Sequence, residues 1–272
     1  MSAPIVAVTD LAVDFGSGRT RRRVIEGVSF EIFPGRTLAL VGESGSGKTT
    51  IGMAVLGLVP AAEGSVEFDG NVIANLRARE RRALGRERQV VFQDPYSSLD
   101  PTKTVGYSLL EPARAHGMDR AAARTRAFEL LARVGLDAVA ALRYPAQFSG
   151  GQRQRIAVAR ALMSSPRFLV CDEPVSALDL SVQAEVMNLL TSLQRELGLA
   201  MLFVSHDLAV VRQISDEIVV LQHGRIVERG PAETILTDPT NPYTRRLIDA
   251  APRLDRRAST TPETEGASNA HL

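Results

Sequence analysis

Gly42-Glu43-Ser44-Gly45-Ser46-Gly47-Lys48-Thr49-Thr50 is the stretch on which the reading of this chain turns. It fits a Walker A loop, a glycine-rich turn whose backbone N–H groups wrap nucleotide phosphates. Gly42, Gly45 and Gly47 lack a Cβ, so the loop can take positive φ and approach the phosphates closely. In this pattern Lys48 reaches the β and γ phosphates, and the Thr49 hydroxyl ligates Mg2+. Thr37-Leu38-Ala39-Leu40-Val41 before it reads as a buried strand. Ile51 to Leu58 after it reads as an apolar helix whose N-terminus faces the anion. A glycine-rich surface turn is the plainer alternative, and the flanking strand and helix argue against it.

The same alternation of strands and helices extends outward. Ile5 to Phe15 and Val24 to Phe33 read as strands, broken by a turn at Gly16-Ser17-Gly18 and a basic run at Arg19 to Arg23. Ser65 to Phe68, Gln89 to Phe92, Phe168 to Asp172 and Ala200 to Val204 read as further strands. Ile218 to Leu221 and Arg225 to Val227 are expected to form a hairpin around His223-Gly224. From Val105 to Ala161 the pattern turns helical, with Phe128, Leu131 and Val134 at helical spacing beside Leu130. This block separates two halves of the strand-bearing core and reads as an inserted helical subdomain. Ser181 to Leu197 is an amphipathic helix presenting Val182, Val186, Leu190, Leu193 and Leu197 on one face. Residues 256–272, rich in Thr, Ser, Glu and Ala without periodicity, are expected to be disordered. No internal repeat is found.

Composition removes several alternatives. A chain of 272 residues suits one large α/β domain, or one with a subdomain and a tail. Its 32 Lys and Arg against 31 Asp and Glu are mixed along the chain, giving a net charge of +1 and no footprint for nucleic acid. The Arg-rich run from Arg77 to Arg88 alternates with Glu80 and Glu87 and reads as a solvated helix face. Cys171 is the single cysteine, so an intrachain disulfide and a CxxC metal site are both excluded. That usage fits a reducing compartment. No signal peptide is expected, because no basic segment leads into an apolar one. The longest apolar stretches, near 51–62 and 156–163, fall short of the ~20 residues that cross a bilayer. A soluble protein is expected, one that meets a membrane only through a partner.

Two further motifs carry chemistry. Phe168-Leu169-Val170-Cys171-Asp172-Glu173 reads as a Walker B strand that delivers carboxylates at its C-terminal end. Asp172 is expected to hold Mg2+ and Glu173 to act as general base towards the attacking water. Capping of the turn before Pro174 is the plainer alternative for both acids. Cys171 reads as a small core hydrophobe. Phe148-Ser149-Gly150-Gly151-Gln152 precedes a helix expected from Arg153. It supplies a hydroxyl, two glycines and a helix N-terminus, the makings of a second phosphate-binding element. A single mononucleotide site does not need two.

That run resembles the signature sequence of the ATP-binding cassette (ABC) ATPases, in which it completes the nucleotide site of the opposing subunit. The rest of the family's set follows in order. Gln93 matches the Q-loop glutamine, Ser176-Ala177-Leu178-Asp179 the D-loop, and His206 in Val204-Ser205-His206-Asp207 the switch histidine. Phe15 matches the aromatic that stacks on adenine, with Val24 as its apolar neighbour. The resemblance covers residues 4–253. It implies an α/β P-loop ABC ATPase core, a mixed sheet with a RecA-like half and an antiparallel β-subdomain, with the helical subdomain inserted at about residues 94–163. It implies ATP and Mg2+ as cofactors and Glu173, His206 and Gln93 as catalytic residues. Metal contacts would come from Thr49, Gln93 and Asp172. Nucleotide contacts would come from Phe15, Val24, the loop from Gly42 through Glu43, Ser44, Gly45, Ser46, Gly47, Lys48 and Thr49 to Thr50, and Ser149, Gly150, Gly151, Gln152 and Asp179.

Details of the resemblance narrow it further. Phe92-Gln93-Asp94-Pro95-Tyr96-Ser97-Ser98-Leu99-Asp100-Pro101 looks like the Q-loop of oligopeptide/dipeptide importer ATPases. Asn241-Pro242-Tyr243-Thr244 with Ala251-Pro252-Arg253-Leu254 resembles that group's C-terminal extension, placed at 231–255. Asn241 stands where the group usually has His. Some members carry a cysteine-ligated iron–sulfur cluster in the extension; this chain has no cysteine there. Gln152 and Ala161-Leu162-Met163 resemble the second, F-type, member of the paired ATPases. The implied function is the ATP-hydrolysing motor of an importer of peptides or related solutes, peripheral at the cytoplasmic face of the inner membrane. Its implied partners are a second ABC ATPase subunit (a D-type chain or a second copy), two integral membrane permease subunits and an extracytoplasmic substrate-binding protein. An exporter motor, or a non-transport ABC ATPase acting on DNA or ribosomes, is the alternative. Long coiled coils or paired cassettes would mark the latter, and the sequence has neither.

Overall fold

In the computed structural model, which describes residues 3–94 and 98–250, the phosphate-loop strand lies at the centre of the larger of two sheets. Strands β1 (Val6–Phe15) and β2 (Arg22–Ile32) pair antiparallel, and β3 (Thr37–Val41) then leads into α1 (Lys48–Val55). Strands β4 (Glu63–Phe68) and β5 (Asn71–Val72) return to the first sheet, whose order is β2-β1-β4-β5. Helix α2 (Ala78–Leu84) and β6 (Arg88–Val91) follow. Then come the helices α3 (Val105–Ala115), α4 (Arg120–Arg133) and α5 (Gly150–Leu162). The chain closes through β7 (Phe168–Asp172), α6 (Leu180–Leu197), β8 (Ala200–Ser205), α7 (Leu208–Ile214), β9 (Glu217–Gln222), β10 (Arg225–Pro231), α8 (Ala232–Thr237) and α9 (Pro242–Ala250). The second sheet has the order β10-β9-β3-β8-β7-β6; all its pairings are parallel except that of β10 with β9.

The continuous apolar runs of β3, β7 and β8 are explained by burial on both faces of a parallel sheet. Every residue of these three strands is buried. Their side chains alternate between two cores. Leu38, Leu40, Phe168, Val170, Leu202 and Val204 pack towards the antiparallel sheet and α1. Leu169, Cys171, Met201 and Phe203 pack towards the helices on the other face. A third core gathers Ala39, Val41 and Val220 of the sheet with Leu208, Ile235 and Tyr243 of α7, α8 and α9.

Several boundaries differ from the sequence expectation. Arg22 and Arg23 belong to β2 rather than to a basic loop, because Arg23 pairs across the hairpin with Asp14 and bonds its carboxylate at 3.0 Å. Phe92 lies beyond β6. On α4 the buried positions are Ala123, Ala127, Leu130 and Leu131, while Phe128 points to solvent. On α6, Leu197 is exposed and Met187 takes a place in the core. Pro95, Tyr96 and Ser97 of the Q-loop run, residues 251–255 of the extension and the 256–272 tail lie outside the described residues.

Candidate nucleotide site

Register decides which loops meet. Val41 lies beside Ser205, Asp172 beside Val204 and Cys171 beside Val91. The residues that follow these strands therefore share one edge: Gly42 after β3, Gln93 after β6, Glu173 after β7 and His206 after β8. This is the carboxyl edge at which open parallel sheets bind ligands.

The glycine-rich loop is held by its neighbours. Gly45 and Gly47 have φ of 78° and 105°, a region that costs a residue with a Cβ. A Cβ on Gly47 would lie 2.4 Å from Cδ1 of Ile25, and one on Gly42 would lie 2.2 Å from the Leu221 carbonyl oxygen. These glycines thus let the loop lie against β2 and β9, a demand separate from phosphate approach. The hairpin turn adds a tie, since Gly224 N donates to the Ser46 carbonyl at 3.0 Å. No side chain caps the N-terminus of α1, so its first amides are available to an anion.

Lys48, only 5% exposed, donates from Nζ to the carbonyls of Gly42 and Glu43, both at 2.8 Å. Burial lowers its pKa, against the pull of Glu173 and Asp172. The Thr49 hydroxyl donates to Oδ1 of Asp172 at 3.0 Å. Burial pushes the Asp172 carboxyl above the ordinary range, opposed by the Thr49 bond, reinforced by the Glu173 charge and opposed again by Lys48. Glu43, Ser44 and Gly45 are exposed, Ser46 is buried and Thr50 is half-buried.

Glu173 has φ of 47° and donates its N–H to the Val204 carbonyl at 3.0 Å. Its Oε1 lies 3.2 Å from Nδ1 of His206. The two line a small cleft of about 80 Å³ with Val175, Ser176, Gln183, Ser205 and Asp207, more room than one water needs. Gln93 is exposed on the bend after β6. Phe15 is 47% exposed at the end of β1, in the hairpin whose other strand brings the Val24 carbonyl and Ile25 to Gly47.

Ser149, Gly150, Gly151, Gln152 and Asp179 group with each other rather than with the loop. The α5 helix starts at Gly150, not Arg153, because Ser149 and Gln152 form a reciprocal capping box. Gly151 is therefore a helical residue, and a Cβ there would meet Cγ1 of Val182 at 2.1 Å. Its small size serves the packing of α5 on α6. Asp179 caps α6, accepting from Val182 N at 3.0 Å and Ser181 Oγ at 2.7 Å, and these bonds hold its carboxyl below the usual range.

Sequence reasoning missed three contributors: Ile25, Gly224 and Tyr243. Tyr243 lies 200 positions from the loop and accepts a hydrogen bond from Glu43 N at 3.1 Å. A contact at that separation leaves no local spacing to read.

Comparison with known proteins adds the relationships. Residues 25–176 match the family model described as ABC transporter, and residues 227–271 match the one described as oligopeptide/dipeptide transporter, C-terminal region. Glutathione import ATP-binding protein GsiA of Salmonella paratyphi A is 50% identical over 260 residues, covering 93% of this chain and 42% of that protein. GsiA of Escherichia coli K12 is 49% identical, covering 92% and 41%. The chain thus spans about two fifths of the length of these relatives. Among solved structures, the dimeric post-hydrolysis state of the ATP-binding cassette MJ0796 bound to ADP and Pi is 29% identical, with a TM-score of 0.75 over 84% of this chain and 98% of that one. CbiO1 of Clostridium perfringens, part of the ABC transporter complex cbiONQ, is 26% identical, with a TM-score of 0.79 over 87% and 92%.

Proposed function

The chain belongs to the ABC transporter family, through its match over residues 25–176, and we propose that it is the ATP-hydrolysing motor of an importer of peptides or related small solutes. One observation carries the chemical part: Lys48, the Thr49–Asp172 pair and the Glu173–His206 pair stand on one sheet edge. The oligopeptide/dipeptide match over residues 227–271 and the glutathione import relatives support the cargo class.

In this reading the amides at the start of α1 and the Lys48 ammonium bind the ATP phosphates. Mg2+ fits the Thr49–Asp172 pair, because a buried carboxylate with one hydroxyl partner is stabilised by a cation. Bound there, it would neutralise charge on the β and γ phosphates. Among the described residues no cluster of three or more His, Cys, Asp or Glu is placed to hold a metal, so its other oxygen ligands would be the Gln93 side chain, phosphates and water. Glu173 accepts a proton from the attacking water, and His206 orients the Glu173 carboxylate from 3.2 Å. Gln93 senses the site from the β6 end. Phe15 and Val24 hold the adenine, and the exposed Thr49 side of the loop stays open to nucleotide.

Ser149 to Gln152 and Asp179 sit on the α5–α6 pair and would serve the nucleotide of an opposing subunit, a non-identical second ATPase or a second copy. Dimeric cassettes among the solved relatives support this arrangement. Two permease subunits and an extracytoplasmic binding protein complete the assembly, with this chain as the F-type partner at the cytoplasmic face of the inner membrane. Among the described residues no helix is long and apolar enough to cross a membrane. Purification of the tagged chain from its native membranes tests the assignment. Permease subunits and a solute-binding protein are expected alongside it; recovery with DNA or ribosomes instead would refute it.

A further inference from the structure

Helix α9 reaches the phosphate loop through the bond between Glu43 and Tyr243, and the peptide unit that makes it is shared. The Gly42 carbonyl accepts from Lys48 Nζ at 2.8 Å, and the N–H of the same peptide, on Glu43, donates to the Tyr243 hydroxyl at 3.1 Å. Ammonium, peptide and phenol thus form one chain of hydrogen bonds, in which each bond polarises the next.

Both ends of this chain are anchored. Tyr243 is 4% exposed, packed in the core that includes Val41 and Val220. Its helix is fixed at the N-terminus by Asn241, whose Oδ1 caps Tyr243 N at 2.8 Å and whose Nδ2 donates to the Val227 carbonyl at 3.2 Å. Glu228 of β10 clamps the approach, accepting from Thr240 N at 2.6 Å and Thr240 Oγ1 at 2.8 Å. Asn241 is thus a capping residue suited to its place. A buried phenol at the end of an anchored helix holds the plane of the 42–43 peptide, and with it the loop's shape and the Lys48 ammonium.

We infer that Tyr243 is a positioning residue for the phosphate loop, through which the C-terminal segment and bound nucleotide stabilise each other. This rests on the nucleotide reading above. A loop fixed before binding loses less freedom when phosphate arrives. By linkage, nucleotide must tighten α9 to the same extent that α9 tightens nucleotide.

Tyr243→Phe removes one hydroxyl and leaves the ring packing, so the fold is retained. Calorimetry with ADP and Mg2+ on wild type, Tyr243→Phe and Lys48→Ala, with hydrogen exchange of residues 242–250, gives the test. The expected result is an ADP Kd raised about three- to ten-fold in Tyr243→Phe, the size of one lost hydrogen bond. The ATP KM should rise in step while kcat stays within about two-fold, because uniform binding is lost. ADP should protect α9 amides from exchange in wild type and less so in Tyr243→Phe. Equal ADP affinity in wild type and Tyr243→Phe, with Lys48→Ala unable to bind, would overturn the inference alone. A wild type that binds no nucleotide would overturn the functional reading, and this inference with it.

Discussion

Glu173 shows most clearly what a single residue costs and does. Among the described residues, the non-glycine positions with positive φ are Asp10, Asp69, Asn75, Ser165, Glu173 and His223. Asp, Asn and His are the types that tolerate this region best, and Glu is not one of them. The conformation is held by the Glu173 N–H to Val204 and by Ser176, whose N and Oγ donate to the Glu173 carbonyl at 3.3 and 3.1 Å. It also aims the carboxylate at His206 instead of along the strand. Strain of this kind is stored at functional sites at about 1–3 kcal/mol per residue. Glu173→Gly, which relieves it, is expected to be more stable than Glu173→Gln by about 1 kcal/mol. Thermal melts of the two variants read the difference, and a Gly variant no more stable than Gln would show that the backbone there is unstrained. The sequence placed Glu173 one residue past Asp172 and gave it the role of general base. The backbone conformation that turns it was not legible, because nothing in Cys171-Asp172-Glu173-Pro174 marks a left-handed residue.

At the scale of elements, the α5–α6 contact separates packing from ligand chemistry. The Gly150-Gly151 pair reads in sequence as backbone opened towards a phosphate. The structure assigns Gly151 to the helix and puts Val182 where its Cβ would be. Gly151→Ala should therefore destabilise the protein by about 1–3 kcal/mol through overpacking. Adding Val182→Ala should recover most of that loss, as coupled neighbours do. Denaturant melts of the two single variants and the double would check this; additive losses would contradict the contact. Strands were the most legible elements, because runs such as Ala200 to Val204 are apolar at every turn of the pleat and so must be buried on both faces. Helix faces were less so. The spacing of Phe128 on α4 fits a core position as well as that of Leu130, and only tertiary packing chose between them.

For the whole molecule, two sheets share one core and leave one edge for chemistry. The fold class was legible from the loop at Gly42–Thr50 with its flanking strand and helix, since that arrangement requires a parallel sheet with helices on its face. Grouping of Lys48, Thr49, Asp172, Glu173 and His206 was legible too, because each follows or ends a strand of that sheet. What the sequence left dark is long-range: Ile25 under Gly47, Gly224 against Ser46, and Tyr243 on Glu43 are joined only when β2, the β9–β10 hairpin and α9 close around the loop. In the proposed mechanism this edge hydrolyses ATP with Glu173 as its base. Single-turnover hydrolysis of radiolabelled ATP by Glu173→Gln, in the assembled complex and beside a direct measure of ATP affinity, tests it most directly. Unchanged or tighter ATP binding is expected, with hydrolysis slowed at least about 100-fold, the scale of a lost general base; hydrolysis at the wild-type rate would rule Glu173 out as the base.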